Sequence, residues 1–321
     1  MRHLLFIAVA VSIAAVACSP SSEGSSGFVS ASDATKARNL YVGGAGYVAV
    51  FAPGQTQPLR VITDKVWFVN SLPFDSNGNL YVFGSPLDKS IRVYPPGATK
   101  PVRKITIGIE SPLFLAMDPN NNLYLSEQSP TRTVVYPYGQ SRPSYKIREF
   151  GFQLLFDSKG YLYMSNNGNI YEYPPGATEP SEVLNLGAGY TLTQIALDSN
   201  DDLYASVGES GQIEKFAPRS KTLLGVVVQE APLPKEILVD SKGHIFCACE
   251  KSVNEYSSTG MLVRTITDGL DGALALQVDS SGTLYVANYN NGTVTEYLPG
   301  SKSVYQTISN VADVSALAFG P

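Results

Sequence analysis

The sequence predicts an all-β fold: a seven-bladed β-propeller of four-stranded antiparallel blades, closed by a C-terminal strand that joins blade one. Three observations lead to it. A unit of about 41 residues repeats along most of the chain. Each unit holds an Asp-initiated turn followed by a Leu-Tyr strand. The composition, with 28 Gly, 21 Pro and 19 Tyr in 321 residues, is that of many turns joining aromatic-rich strands.

The Asp turn is the most regular element. It reads DSNGNLY from Asp75, DPNNNLY from Asp118, DSKGYLY from Asp157, DSNDDLY from Asp198, DSKGHIF from Asp240 and DSSGTLY from Asp279. The step from Asp to the aromatic residue is six positions in all six copies. A seventh Leu-Tyr, Leu40-Tyr41, lacks the strand and Asp before it. The next strand ends in an aromatic residue and a Pro-Gly turn, as in VAVFAPG (48–54), IRVYPPG (91–97), NIYEYPPG (169–176) and TVTEYLPG (293–300). Pro at the second turn position and Gly at the third are what a type II turn requires. A third strand follows, such as LRVIT (59–63) or RKITI (103–107), and then an apolar strand such as LFLAMD (113–118) or ALALQVD (273–279) runs into the next Asp. Four strands per unit and seven Leu-Tyr strands give seven blades. Blade one lacks its inner strand, and Val314–Phe319 matches the inner strands elsewhere, so the chain end closes the ring and removes open sheet edges.

The first residues, MRHLLFIAVAVSIAAVAC, join a short basic segment to an apolar run from Leu4 to Ala17. That run is shorter than the ~18–20 residues of a membrane span and suits a signal peptide over 1–17. Ala15-Val16-Ala17-Cys18 resembles the lipobox of bacterial lipoproteins, which implies cleavage before Cys18 and acylation of its thiol. Ordinary cleavage after Ala17 would instead leave Cys18 a thiol. Residues 18–37, rich in Ser, Ala and Gly, bury too little to fold and read as a flexible tether, leaving 38–321 as the propeller. The expected location is exported and membrane-anchored, facing the periplasm or cell exterior, with the membrane met through the N-terminal lipid alone.

The formal net charge of -5 and the lack of any basic run argue against nucleic acid as a partner. The remaining cysteines, Cys247 and Cys249, lie two apart on a strand, beyond comfortable disulfide reach at ~6.5–7 Å. With no nearby His they read as two small buried side chains.

The Asp-x-x-Gly-x-Leu-Tyr turn and strand, with the following Val-x-x-Tyr-x-Pro-Gly, resemble NHL-type propeller repeats and, more loosely, streptogramin (virginiamycin B) lyase-like propellers, over about residues 38–321. The resemblance implies the fold far more than an activity, since many functions sit on propellers. The lyases, as the resemblance implies, use His and Glu with bound magnesium. Here the only His after the signal is His244, in the turn slot held elsewhere by Asn79, Asn122, Tyr161, Asp202 and Thr283. No motif maps onto the metal ligands of gluconolactonase-type propellers.

Three turns mimic calcium loops: Asp75-x-Asn77-x-Asn79, Asp118-x-Asn120-x-Asn122 and Asp198-x-Asn200-x-Asp202, the last with Glu209 at loop position twelve. The Gly that a calcium loop needs at position six is replaced by a strand-starting Leu, such as Leu203. Each Asp is expected instead to accept hydrogen bonds from its own turn. A Ser-His-Asp set would need a second His beside His244, and no Gly-rich loop precedes a helix. No catalytic residue is assigned.

A ligand is expected on the face opposite the Asp turns, where loop length varies: ten residues from Tyr41 to Phe51 but thirteen from Tyr81 to Tyr94. The longer loops hold Asp88, Lys89, Glu127, Gln128, Arg132, Glu209, Tyr289 and Asn290. Eight residues before each Asp position stand Trp67, Glu110, Glu149, Tyr190, Pro232, Asp271 and Asp313. Four are acidic and two aromatic, and the ring would carry them around the channel mouth. They are either solvated loop charge or a site for a cation, a metal ion or a polyhydroxylated ligand, with Trp67 or Tyr190 as a stacking platform. The expected function is non-enzymatic binding or scaffolding of a protein, peptide or glycan, with no cofactor. The alternative is a metal-dependent hydrolase or lyase, which would place a divalent metal at the acidic mouth.

Overall fold

The computed structural model describes residues 38–321, apart from 65, 85–87, 188–193, 208–209, 232–233 and 250. Cys18, with the whole signal and tether, lies outside the described residues, as do Tyr190, Glu209 and Pro232.

Seven antiparallel sheets follow one another along the chain. Blade one joins Asn39–Gly44, Tyr47–Phe51 and Arg60–Ile62 to the last strand, Ala316–Gly320. Blade three runs Pro112–Met117, Leu123–Glu127, Arg132–Tyr136 and Tyr145–Ile147. Blades four to seven repeat that order from inner strands Gln153–Phe156, Ile195–Leu197, Glu236–Val239 and Ala273–Val278. Blade two differs in detail. Its regular sheet has three strands, Leu80–Phe83, Ile91–Tyr94 and Arg103–Ile105. The inner segment meets its neighbours only through bridges, Val66 with Gly84, Phe74 with Leu80 and Ala45 with Phe68. Pro73 in that segment has no N–H to give a ladder and offers only its carbonyl, to the Tyr81 amide at 3.1 Å.

The closure is as the repeat predicts. Leu40, Tyr41 and Val42 pair with Phe319, Ala318 and Leu317, and the Tyr41 hydroxyl donates to the Pro321 carbonyl at 2.7 Å. The middle strands are buried on both faces because each blade is covered by two others. Successive side chains of one strand therefore enter different interfaces: Leu40 and Val42 pack with Tyr285 and Val294 of blade seven, while Tyr41 packs with Leu80 and Tyr94 of blade two. The core is a set of clusters between blades, not one centre.

Both turn predictions hold. Ala98 donates to the Pro95 carbonyl at 3.0 Å with Gly97 at φ 80°, as a type II turn requires. The Asp75 Oδ1 atom accepts the amides of Asn77 and Asn79 at 3.0 and 2.9 Å. Asp118, Asp157, Asp198, Asp240 and Asp279 do the same two and four residues on. The fourth turn position is left-handed, and the chain fills it with Gly78, Asn121, Gly160, Asp201, Gly243 and Gly282, the residue types that tolerate it. The second carboxylate oxygen often reaches the strand Tyr: Tyr81 donates to Asp75 Oδ2 at 3.1 Å and Tyr204 to Asp198 at 3.2 Å. The step is constant even where the aromatic residue is Phe246, so it is the Asp cap on its own turn, present in all six copies, that fixes it.

Two predictions follow from this packing. Deleting 312–321 removes the inner strand of blade one and exposes Leu40 and Val42; the melting transition followed by circular dichroism should broaden and drop sharply, and a wild-type transition would contradict the closure. Glu172 in blade four is buried; Ser181 donates to its Oε1 at 3.1 Å, and its Oε2 has no partner among the described residues. Burial, with Glu182 nearby, raises its folded pKa. A raised carboxyl pKa means the folded state holds the proton more tightly, so ionisation opposes folding above that pKa and the penalty fades as pH falls through it. Glu172→Gln should raise the melting temperature by a few degrees at neutral pH, and the gain should shrink on acidification.

Candidate ligand face at the channel mouth

The ladder registers settle which loops share a face. In blade three Met117 pairs with Leu123 beside the Asp turn, and Pro112 pairs with Glu127 at the other end. The lead-in to each inner strand therefore lies beside the hairpin between the second and third strands, opposite the Asp turns. Glu110, Glu149, Asp271 and Asp313 belong to the lead-ins of blades three, four, seven and one, and Trp67 to that of blade two.

Glu110 is the most elaborately held. The Glu127 carboxylate, wholly buried, accepts the amides of Glu110 and Ser111 at 2.5 and 3.1 Å. Its other oxygen takes the Arg132 Nε at 2.6 Å. The Arg132 guanidinium also donates to the Gly108 carbonyl at 3.1 Å and lies 3.2 Å from Glu110 Oε1. Glu127 and Arg132 are thus not ligand-loop residues, as their position suggests in sequence. They end one strand and begin the next, and they clamp the lead-in from beneath. Blade seven repeats the device with a neutral group. Buried Asn288, at the same strand position as Glu127, accepts the Asp271 amide at 3.2 Å, while Asn290 donates to the Asp271 carboxylate at 3.1 Å.

Asp313 sits on an exposed turn in the left-handed region, φ 53°. Beneath it the Tyr47 hydroxyl donates to the Ala312 carbonyl at 3.0 Å, and burial together with the Asp313 charge pushes the phenol pKa up. Glu149 is half-buried; its carbonyl accepts the Thr133 hydroxyl at 2.9 Å. Its charge adds to burial in raising the pKa of Tyr171 and Tyr173. Trp67 is 54% exposed although its backbone is held on both sides, by Gly46 at 2.8 Å and Phe83 at 3.4 Å. The acidic residues are spread one to a blade. Among the described residues no three His, Cys, Asp or Glu side chains gather as a shared metal ion would need.

The Asp-turn face uses its carboxylates differently. Lys215 lies 3.2 Å from Asp198 and 2.7 Å from Asp202, filling the place where the calcium-like pattern would put a cation. Arg219 lies 2.5 Å from Asp157 and 3.3 Å from Asp201, tying the turns of blades four and five. His244 Nδ1 stands 3.4 Å from both Asp240 and Glu255, within the turn network and away from the mouth.

Removing one member of the buried Glu127–Arg132 pair should be severe. Glu127→Ala strands Arg132 and two amides, and urea denaturation should show a loss of roughly 3–5 kcal/mol; a loss below about 1 kcal/mol would mean that the clamp is not formed.

No protein-family model matches the chain, and no curated protein matches it by sequence. Among solved structures it is similar to a functionally unknown protein from Desulfotomaculum acetoxidans DSM 771, with a TM-score of 0.70, 14% identity, and coverage of 88% of this chain and 99% of that one. That likeness shows the fold: the chain is a seven-bladed β-propeller.

Proposed function

We propose that the protein is an exported, lipid-anchored propeller of the NHL or streptogramin lyase-like kind that works as a non-enzymatic binding or scaffolding module, taking a protein, peptide or glycan at the channel mouth. The observation that carries this reading is the contrast between the two faces. On the Asp-turn face the carboxylates cap turns, and those of blades four and five also pair with Arg219 and Lys215. At the mouth, Glu149, Asp271 and Asp313 have no ion pair among the described residues, and Trp67 offers an exposed ring between Asp313 and Glu110 in the order of blades. Carboxylates spread over a rigid rim suit a ligand with several separated cationic or hydroxyl groups, and an aromatic platform suits a sugar ring or a cation. The anchor rests on the apolar run before Ala15–Cys18, and 18–37 would hold the ring off the membrane.

The test uses cationic peptide and glycan libraries on the purified protein. Combining Glu110→Gln, Glu149→Gln, Asp271→Asn and Asp313→Asn should weaken the best binders at least about tenfold, or roughly 1.4 kcal/mol. Unchanged affinity for every binder would overturn the mouth as the site. In cells, the wild-type chain should partition into the detergent phase and Cys18→Ala into the aqueous phase; identical partitioning would overturn the anchor.

A further inference from the structure

The outer edge of the ring is not uniform. The outermost strand of each blade ends its sheet, so one side of it carries amides and carbonyls with no ladder partner among the described residues. Short or charged edges discourage pairing with another chain. Arg60–Ile62, Arg103–Ile105, Tyr145–Ile147 and Gln306–Ile308 have three residues each and Glu182–Asn185 has four, and Lys104 and Lys146 stand exposed on two of them. Blades five and six lack this protection. Leu223–Val228 has six residues, reading LLGVVV, and Leu262–Ile266 has five. Leu223, Leu224, Met261, Leu262 and Val263 are each 49–70% exposed. The two edges abut: Gly260 packs on the blade-five strand so closely that a Cβ there would fall 1.4 Å from the Val227 carbonyl oxygen.

We infer that this strip joins two copies of the chain into a dimer, with the blade-five edge strand of one copy pairing antiparallel with its own counterpart and the blade-six edge packing alongside. Area is the first argument. The five side chains leave roughly 500 Å² of surface in water, at the upper end of what a monomer exposes in one apolar patch. With Thr222, Val226, Val227 and the turn at 257–260 the strip approaches the ~800 Å² that each partner gives to a stable interface. Symmetry is the second. Two identical strands running antiparallel are related by a two-fold axis, so Leu223–Val228 can pair with itself and the contact closes without growing into a filament. Gly225, near its middle, has open space where a Cβ would stand, so nothing of this chain obstructs the approach.

Charge is the third argument. Each copy carries a formal net charge of -5, which opposes self-association wherever charged surfaces meet. The segments 222–229 and 256–263 hold no charged residue, so two copies can meet there without like charges facing each other. Elsewhere on the rim the exposed apolar residues are interleaved with cations, as Leu59 and Val61 are with Arg60, and Val102 with Arg103 and Lys104. A bilayer is the other apolar surface that could cover the strip. It offers no partner to the edge amides and carbonyls, and such groups are costly to leave unpaired in lipid. A second copy of the same strand pairs them.

The test uses the full-length protein carrying Cys18→Ser, so that no acyl chain can gather copies into micelles. Sedimentation equilibrium at micromolar concentrations should give twice the chain mass. Adding Leu224→Lys or Val263→Lys, both at exposed positions, should raise the dimer dissociation constant at least about tenfold, or roughly 1.4 kcal/mol, with the circular dichroism spectrum unchanged. Val102→Lys, on the blade-two edge, should leave it as it was. Amide hydrogen exchange is the second readout: residues 223–228 should exchange more slowly in the dimer than on dilution to monomer, and residues 103–105 at the same rate in both. A chain that stays monomeric, or a dimer that both lysine substitutions leave intact, would overturn the interface. So would equal exchange at 223–228 in monomer and dimer. A monomer that floats with phospholipid vesicles, and no longer does so with either lysine substitution, would assign the strip to lipid and overturn the dimer as well.

Discussion

The ring depends on how it satisfies the free edge of each inner strand. A blade's inner strand has a sheet partner on one side only; the other side faces the channel with unpaired amides and carbonyls. Leaving one such group unsatisfied costs about 1–3 kcal/mol. The chain answers with side chains from the neighbouring blade. Ser71 Oγ accepts the Leu115 amide at 3.0 Å, Gln153 Oε1 the Ile195 amide at 2.8 Å, and Glu236 Oε2 the Leu276 amide at 2.6 Å. Each donor stands one residue nearer its own Asp position than the acceptor does, in the next blade. Blade two is thereby stitched to three, four to five and six to seven. Carbonyls are met in the same way: Gln153 donates to Ile195, Asn70 to Leu113, Gln277 to Leu317 and Ser315 to Val69, at 2.8–3.3 Å. The last two links run through the C-terminal strand, so closure is polar as well as apolar.

The rim inherits this rigidity through the last residue of each second strand. Where that residue is Glu127 or Asn288, it reaches the lead-in of its own blade and fixes the backbone that presents Glu110 or Asp271. Blades one and two place Gly44 and Gly84 there, and Tyr47 anchors the blade-one lead-in from its hairpin instead. One strand position thus holds the mouth in blades three and seven, while the inter-blade stitches hold the strands themselves.

The repeat was legible because its physics is local. An Asp that caps its own turn and a left-handed residue three positions on fall within five residues, so they recur in register, and in three copies a Tyr reaches back to the same carboxylate. The stitches were not legible, since Gln153 and Ser71 look like ordinary strand residues until the neighbouring blade is in place. Glu127 and Arg132 were readable as residues of a variable segment but not as a buried clamp, because the Leu-Tyr pattern marks where that strand begins and not where it ends. A signal was present all the same: a Glu and an Arg five residues apart across a short hairpin are cross-strand partners by register. Blade two, whose inner segment carries Pro73, is where the four-strand rule fits least closely, for want of one N–H.

The two faces show how one residue type acquires different chemistry from one scaffold. An Asp at the inner turn is surrounded by amides that the turn itself converges, so its charge is already shared among hydrogen bonds, and Lys215 or Arg219 supplies the rest. An acid on the opposite lead-in has no turn to cap, because the chain there passes between blades and its amides are taken up by buried groups such as Glu127 and Asn288. Its side chain is left to face outward. The clamps hold the backbone of Glu110 and Asp271 from below, and among the described residues the carboxylates of Glu149, Asp271 and Asp313 have no cation on the rim. The asymmetry follows from topology: cap residues gather on one face and presented residues on the other, in every blade where an acid occupies the lead-in.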